Sequence, residues 1–187
     1  MTEFRFLNDK KTSKNEFEEI LNKGLSKSDD KNIKINKFTK AIIFNEYYNC
    51  SEHLSLSNSK GRLDTFEKAA CIMIAINKNA TLKNEFKNKL SINTIFSMFE
   101  GPIISGKYIE TSLPSLNIKI FEENYPEDFD FIKDTLLESI NNSRCSYDKS
   151  ITLAASLKFM YEYINEKSSN LNIINDKNKI FTKKRTN

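Results

Sequence analysis

Residues 49–56 read Asn-Cys-Ser-Glu-His-Leu-Ser-Leu and hold the chain's single histidine, His53, three positions after Cys50. At that spacing a cysteine and a histidine meet on one helical turn, where imidazole can take the thiol proton and leave a nucleophilic thiolate. The same pair can begin a zinc site, with Cys71 and Cys145 completing a Cys₃His set by count. The pattern supports neither chemistry. Glu52 lies between the two residues and opposes thiolate formation. Structural zinc sites build on ligand pairs close in sequence, and this chain has one such pair. The plainer expectation for 50–53 is a helix C-terminus running into a polar loop at 51–60, with Cys71 as packing material in an apolar helix.

One histidine also excludes whole classes of enzyme. Ser-His-Asp triads, papain-like Cys-His sites and HExxH metalloproteases need histidine in contexts absent here. The Arg-x4–6-His motif of HEPN-type ribonucleases is missing, because no arginine precedes His53 at that distance. The four glycines, at 24, 61, 101 and 106, form no phosphate loop or dinucleotide fingerprint. Carboxylates come in clusters: Glu18–Glu19, Asp29–Asp30, Glu122–Glu123 and Glu127–Asp128–Asp130. Glu127 and Asp128 suit a helix start, which accounts for them without chemistry. Asp130 and Asp134 have the i, i+4 spacing that puts two carboxylates on one face, but no matching pair stands on another helix. No cofactor or metal is expected.

Basic residues recur at helical spacing: Lys34, Lys37 and Lys40, then Lys83 and Lys87. Such rows can neutralise phosphates, so a nucleic-acid-binding accessory protein is the alternative function. Lysine heavily outnumbers arginine, however, and arginine is the residue of bidentate recognition. A solvated helix face is the plainer reading. The net charge of +4 adds little to the nucleic-acid case. Aromatic residues are plentiful, with 14 Phe and 7 Tyr and no Trp. Tyrosines at helix ends have the half-wet character of protein contacts. The candidate protein-binding residues are Tyr47, Tyr48, His53, Tyr108 and Tyr125.

The elements that must position these residues are helical. Four glycines and three prolines in 187 residues are too few for an all-β fold. Ser13-Lys-Asn-Glu16 has the form of a capping box ahead of a helix over 14–25. A second helix is expected over 34–49, with a stripe of Phe38, Ala41, Ile42 and Tyr48 widened by Ile43, Phe44 and Tyr47. Asp64-Thr-Phe-Glu67 caps a helix over 66–77 that is apolar almost all round and therefore central. Leu82, Phe86 and Leu90 mark a further helix, and Ser91 caps another that stops at Gly101. Residues 107–121 read as a small β-hairpin about Pro114-Ser115, with a helix starting at Pro114 as the competing reading. Pro126-Glu-Asp opens a helix carrying Phe129, Ile132, Leu136 and Ile140. Asp148 or Ser146 caps the last, with Ile151, Ala154, Leu157, Tyr161 and Ile164 on one face.

The expectation is a mainly all-α single domain, a bundle of six to seven helices over 1–168 around the buried 66–77 helix. A polar, basic tail follows over 169–187. Three widely spaced cysteines, no secretory h-region and no apolar run near the ~20 residues of a membrane span place it in the cytoplasm. The expected function is non-catalytic: binding another protein, as an inhibitor, immunity or accessory factor of a phage, virus or mobile element. Homodimerisation is open, since the second helix is apolar on a broad front.

Overall fold

The computed structural model describes residues 10–26, 35–57, 63–79, 83, 91–101, 104–105, 108–109, 113–142 and 148–183. Its helices are α1 (Lys10–Ser26), α2 (Lys37–Ser57), α3 (Thr65–Lys78), α4 (Ile92–Ser97), α5 (Ile118–Asn124), α6 (Pro126–Asn142) and α7 (Asp148–Lys183). The only strands among the described residues are β1 (Ile104–Ser105) and β2 (Tyr108–Ile109), antiparallel, with Ile104 opposite Ile109 and Ser105 opposite Tyr108. The chain is an all-α bundle.

α3 is its centre. The Asp64 carboxylate accepts the Glu67 N–H and the Glu67 carboxylate accepts the Asp64 N–H, each at 2.8 Å, so both halves of the expected capping box form. Ala69 to Asn77 are all buried, and α1, α2, α6 and α7 pack around them. Ala69, Ala70 and Ala75 keep that helix slim enough for neighbours on every side. Its polar end is also satisfied: Asn77 Nδ2 donates to the Ile140 carbonyl at 2.8 Å, occupying one of the last free carbonyls of α6. Gly24 of α1 packs tightly against α4 and its C-cap: a Cβ there would lie 2.7 Å from Met98 Cγ and 3.1 Å from the Thr94 carbonyl oxygen.

Several elements differ from expectation. The Ser13–Glu16 box lies inside α1, which starts at Lys10, and both side chains are buried. Glu16 instead pairs with Lys68 of α3 at 3.6 Å. α2 runs on to Ser57, so Cys50–His53 is helix rather than the edge of a loop. Its buried face is Ile43, Phe44, Tyr47, Cys50 and Leu54, while Phe38, Ala41 and Ile42 face water. The second arm of the expected 107–121 hairpin is α5, capped by Asn117 Oδ1, which accepts the Ile120 N–H at 3.2 Å. The hairpin that does form lies earlier, at 104–109, and the helix starts at 118 rather than at Pro114. Ile151 is exposed, and Leu153 takes the core position beside Ala154. The expected helix over 81–90 falls largely outside the described residues, and the 168/169 boundary falls within α7.

Residues 113–117, just ahead of α5, are tied down from two sides. Tyr161 of α7 donates its hydroxyl to the Pro114 carbonyl, and Glu100 Oε1 accepts the Leu116 N–H at 2.7 Å. Tyr161 also joins Phe66, Phe96 and Phe99 in an aromatic cluster, with the Phe66 and Phe99 ring centroids 4.8 Å apart.

Candidate functional site

The Cys50–His53 pair is divided between core and surface. Cys50 is buried against α3 and His53 is exposed on α2. The partner of Cys50 is another thiol. A hydrogen bond with Cys71 is the main influence holding Cys50 below the ordinary thiol range, with burial opposing it and Lys78 and Ser150 assisting. Cys71 is pushed well above that range by the same hydrogen bond and by burial. Cys145 lies outside the described residues. Among the described residues, no three His, Cys, Asp or Glu side chains gather closely enough to hold a metal ion. Asp130 and Asp134 are exposed, and Asp130 is 2.9 Å from Lys133 Nζ on the same helix.

Of the expected contact tyrosines, Tyr48 and Tyr125 present part of their side chains to solvent among the described residues. Tyr47 is a core residue, its ring 5.3 Å from that of Phe17. Tyr48 is half-buried behind Phe44, and Tyr125 is half-buried against Phe121. Tyr108 contributes backbone to β2, and its side chain is outside the described residues. Among the lysines, Lys37 and Lys40 meet Lys14 around a hollow of about 340 Å³ between α1 and α2, and Glu18 shares it. Lys83 lies beyond the C-terminus of α3, and Lys34 and Lys87 are outside the described residues.

The most distinctive surface is one the sequence did not single out. α6 turns Ile132, Leu136 and Ile140 to the core, and α7 turns Leu153, Leu157, Tyr161 and Ile164 there. Beside these core faces, Phe131 and Thr135 of α6 face Thr152, Ala155, Ser156, Phe159 and Tyr163 of α7 across an open groove of about 680 Å³. Ile132 and Met160 make its floor, and the small side chains of Thr135, Thr152, Ala155 and Ser156 keep that floor low. Ser156 donates its hydroxyl back to the Thr152 carbonyl at 3.0 Å, so it offers the groove little polarity. Phe131 and Phe159 stand along the two edges, 71% and 69% exposed.

One end of the groove is closed by polar contacts. The Tyr163 hydroxyl donates to Asp128 Oδ2 at 2.8 Å, joining α7 to the first turn of α6. That bond, with burial and the Asp128 charge behind it, raises the Tyr163 pKa above the usual tyrosine value. Phe159 stacks on Tyr163 at 6.5 Å with an interplanar angle of 18°. Lys167 Nζ lies 5.3 Å from the Tyr125 ring centre and 5.4 Å from that of Tyr163, near enough for cation–π attraction. The groove is therefore braced at this end.

α2 bears a second exposed apolar pair, Phe38 and Ile42, but Asn45 and Asn49 separate it from Leu56 along the same flank. No helix among the described residues is long and apolar enough to cross a membrane. No protein-family model, curated protein or solved structure matches the chain.

Proposed function

We propose that this chain is a non-catalytic protein-binding module, and that the α6/α7 groove is where its partner docks. The observation that carries the reading is the pair of phenylalanines, each about 70% exposed, on the edges of an apolar groove of about 680 Å³. A phenylalanine has no polar atom to gain from water. Two of them flanking an apolar floor form a surface that association stabilises. The groove is open along its outer side, which suits a protein segment better than a small ligand, since small ligands are mostly enclosed by their sites. A cytoplasmic inhibitor, immunity or accessory factor would act through such a surface.

The test compares the tagged wild-type chain with a Phe131→Ser/Phe159→Ser variant. Both residues are exposed, so the variant keeps its helical circular dichroism and its stability to within about 0.5 kcal/mol. Photo-crosslinking from position 159 is expected to capture one partner protein, and the double substitution to abolish its retention. A variant that retains every partner of the wild type sinks the proposal.

A second reading, nucleic-acid binding, is favoured by the convergence of Lys14, Lys37 and Lys40 between α1 and α2. Glu18 in the same hollow weakens it. Its test is nucleic acid that co-purifies, is released by salt, and is lost when the three lysines become alanine.

A further inference from the structure

Resting on the groove reading, we infer that the occupant is a cationic amphipathic helix of the partner, laid along α6 and α7 with its apolar face on Ile132 and Met160. Three independent features of the groove specify it.

Backbone chemistry comes first. The lining is mostly apolar: Phe131, Ile132, Ala155, Phe159 and Met160 dominate it, Thr135 and Thr152 add only single hydroxyls, and that of Ser156 is already committed to its own helix. An extended segment pressed here would leave N–H and C=O groups desolvated without partners, a large penalty for each group. A helix brings its backbone bonds with it and presents only side chains. Dimensions come second. Along α7 the groove runs from Thr152 to Tyr163, roughly 16 Å at 1.5 Å per residue, or about three helical turns. Three turns present apolar anchors at i, i+4 and i+7, enough to fill the space between the Phe131 and Phe159 edges.

Charge comes third. The helical repeat puts Glu127, Asp134 and Glu138 within about 60° of Phe131, on the outer flank of α6. Glu162 and Glu166 occupy the corresponding flank of α7 beyond Phe159. All five are exposed, and none is in an ion pair among the described residues. The nearby basic groups whose side chains are described are placed differently. Lys133 lies on the other side of α6 with Asp130, Lys167 sits over the rings of Tyr125 and Tyr163, and Lys158 lies farther round α7. The edges are thus acidic in a chain whose net charge is +4. Complementary charge steers encounter and fixes orientation, so lysines and arginines flanking the apolar stripe are what these edges select.

The probes are three labelled synthetic helical peptides, titrated into the full chain by fluorescence anisotropy. The first has leucines at i, i+4 and i+7 with lysines elsewhere. The second replaces those lysines with glutamates. The third keeps the lysines but scatters the leucines around the helix. The first is expected to bind at least about tenfold more tightly than the other two, and to weaken as salt rises. Phe131→Ala and Phe159→Ala should each cost about tenfold or more. Glu127→Lys/Asp134→Lys/Glu138→Lys should shift the preference toward the anionic peptide.

Equal binding of the anionic peptide would overturn the charge assignment while leaving a groove that binds helices. Equal binding of the scattered peptide would show attraction by charge alone, and the helix occupant would fall. If the chain self-associates and Phe131→Ala abolishes this, the groove belongs to a second copy and the inference fails. If no peptide binds, or if the phenylalanine substitutions change nothing, the groove reading fails with it.

Discussion

Lys68 and Glu16 form an ion pair inside the bundle, 3.6 Å apart with side chains only 4% and 3% exposed. It joins α3 to α1, and it gives a sharp test of how the centre of the fold is held. At 3.6 Å two unit charges attract by about 4.6 kcal/mol if the effective dielectric is about 20. Desolvation offsets much of this in the intact pair. It is not offset when one partner is removed and the other stays buried and charged, which typically costs 3–5 kcal/mol. The separation exceeds the ~2.8 Å of a tight charge-assisted hydrogen bond, which favours the lower end of that range. Glu16→Gln and Lys68→Met should therefore each destabilise by about 3 kcal/mol. For a chain of this size that corresponds to a Tm lower by roughly 6–12 °C. The double variant Glu16→Gln/Lys68→Met removes both charges and should cost clearly less than the sum of the two single losses. Urea unfolding followed by circular dichroism on the four proteins gives the coupling directly. If the double variant loses the sum of the two single losses, the pair is not coupled. If Glu16→Gln costs under about 0.5 kcal/mol, the residue is not buried as a charge.

Tyr161 carries an alkaline signature: burial first, and then the Glu100 charge, hold its hydroxyl well above the ordinary tyrosine pKa. Between about pH 10 and that raised value the unfolded chain releases a proton the folded chain keeps, so stability falls by about 1.4 kcal/mol per pH unit, with no such loss below pH 10. Tyr161→Phe should flatten this slope in urea melts at rising pH, at a baseline cost of about 1 kcal/mol for the lost bond to Pro114, and an unchanged slope would refute the assignment. Gly24→Ala sets a helix-propensity gain of about 1 kcal/mol against a Cβ at 2.7 Å from Met98 Cγ and 3.1 Å from a backbone oxygen. Overpacking of this kind costs about 1–3 kcal/mol, so a lower Tm is expected, and a higher one would show that α1 and α4 are less closely packed. Cys50 and Cys71 are fully buried, so in a Cys145→Ser background the folded chain should release no thiol to Ellman's reagent at mixing, and both in concentrated guanidinium. A fast thiol in the folded protein would mean that the α2/α3 seam opens.

The sequence was most informative where the signal is local. Asp64 and Glu67 sit three residues apart before an unbroken apolar run, and both capping and centrality followed from them. Ser91 capped α4 and Pro126 opened α6 for the same reason. Signals that depend on neighbours misled. The Ser13–Glu16 spacing fits a cap, but Glu16 meets Lys68, more than fifty positions away, and α1 begins earlier. The serines after Cys50 suggested a loop. Ser51 and Ser55 instead donate to the Tyr48 and Glu52 carbonyls at 2.9 and 3.1 Å, a backbone contact that lets serine continue a helix. In α2 two apolar stripes compete, and only the positions of α1 and α3 decide that Ile43, Phe44 and Tyr47 go inward while Phe38 stays 76% exposed. The alternation of Leu116, Ile118 and Ile120 suited a strand, but Asn117 caps the segment and buries Ile118 and Phe121 one helical turn apart.

The groove was hidden for a more general reason. Seen alone, α6 has a broad apolar stripe, and so does α7, and a broad stripe is what a deeply buried helix also shows. Whether Phe131 and Phe159 are covered depends on a third element, which no single segment reports. The tyrosines were the more tempting choice because a half-polar ring tolerates either side of an interface. That tolerance is also why they discriminate poorly: Tyr47 went to the core, while Tyr163 hydrogen-bonds Asp128 at the end of the groove. Phenylalanine lacks the tolerance. Leaving two of them about 70% exposed beside an apolar floor forgoes a few kcal/mol of burial in the free chain. A partner that covered them would recover that free energy, which is why the exposed phenylalanines of the groove are the positions the proposed docking depends on.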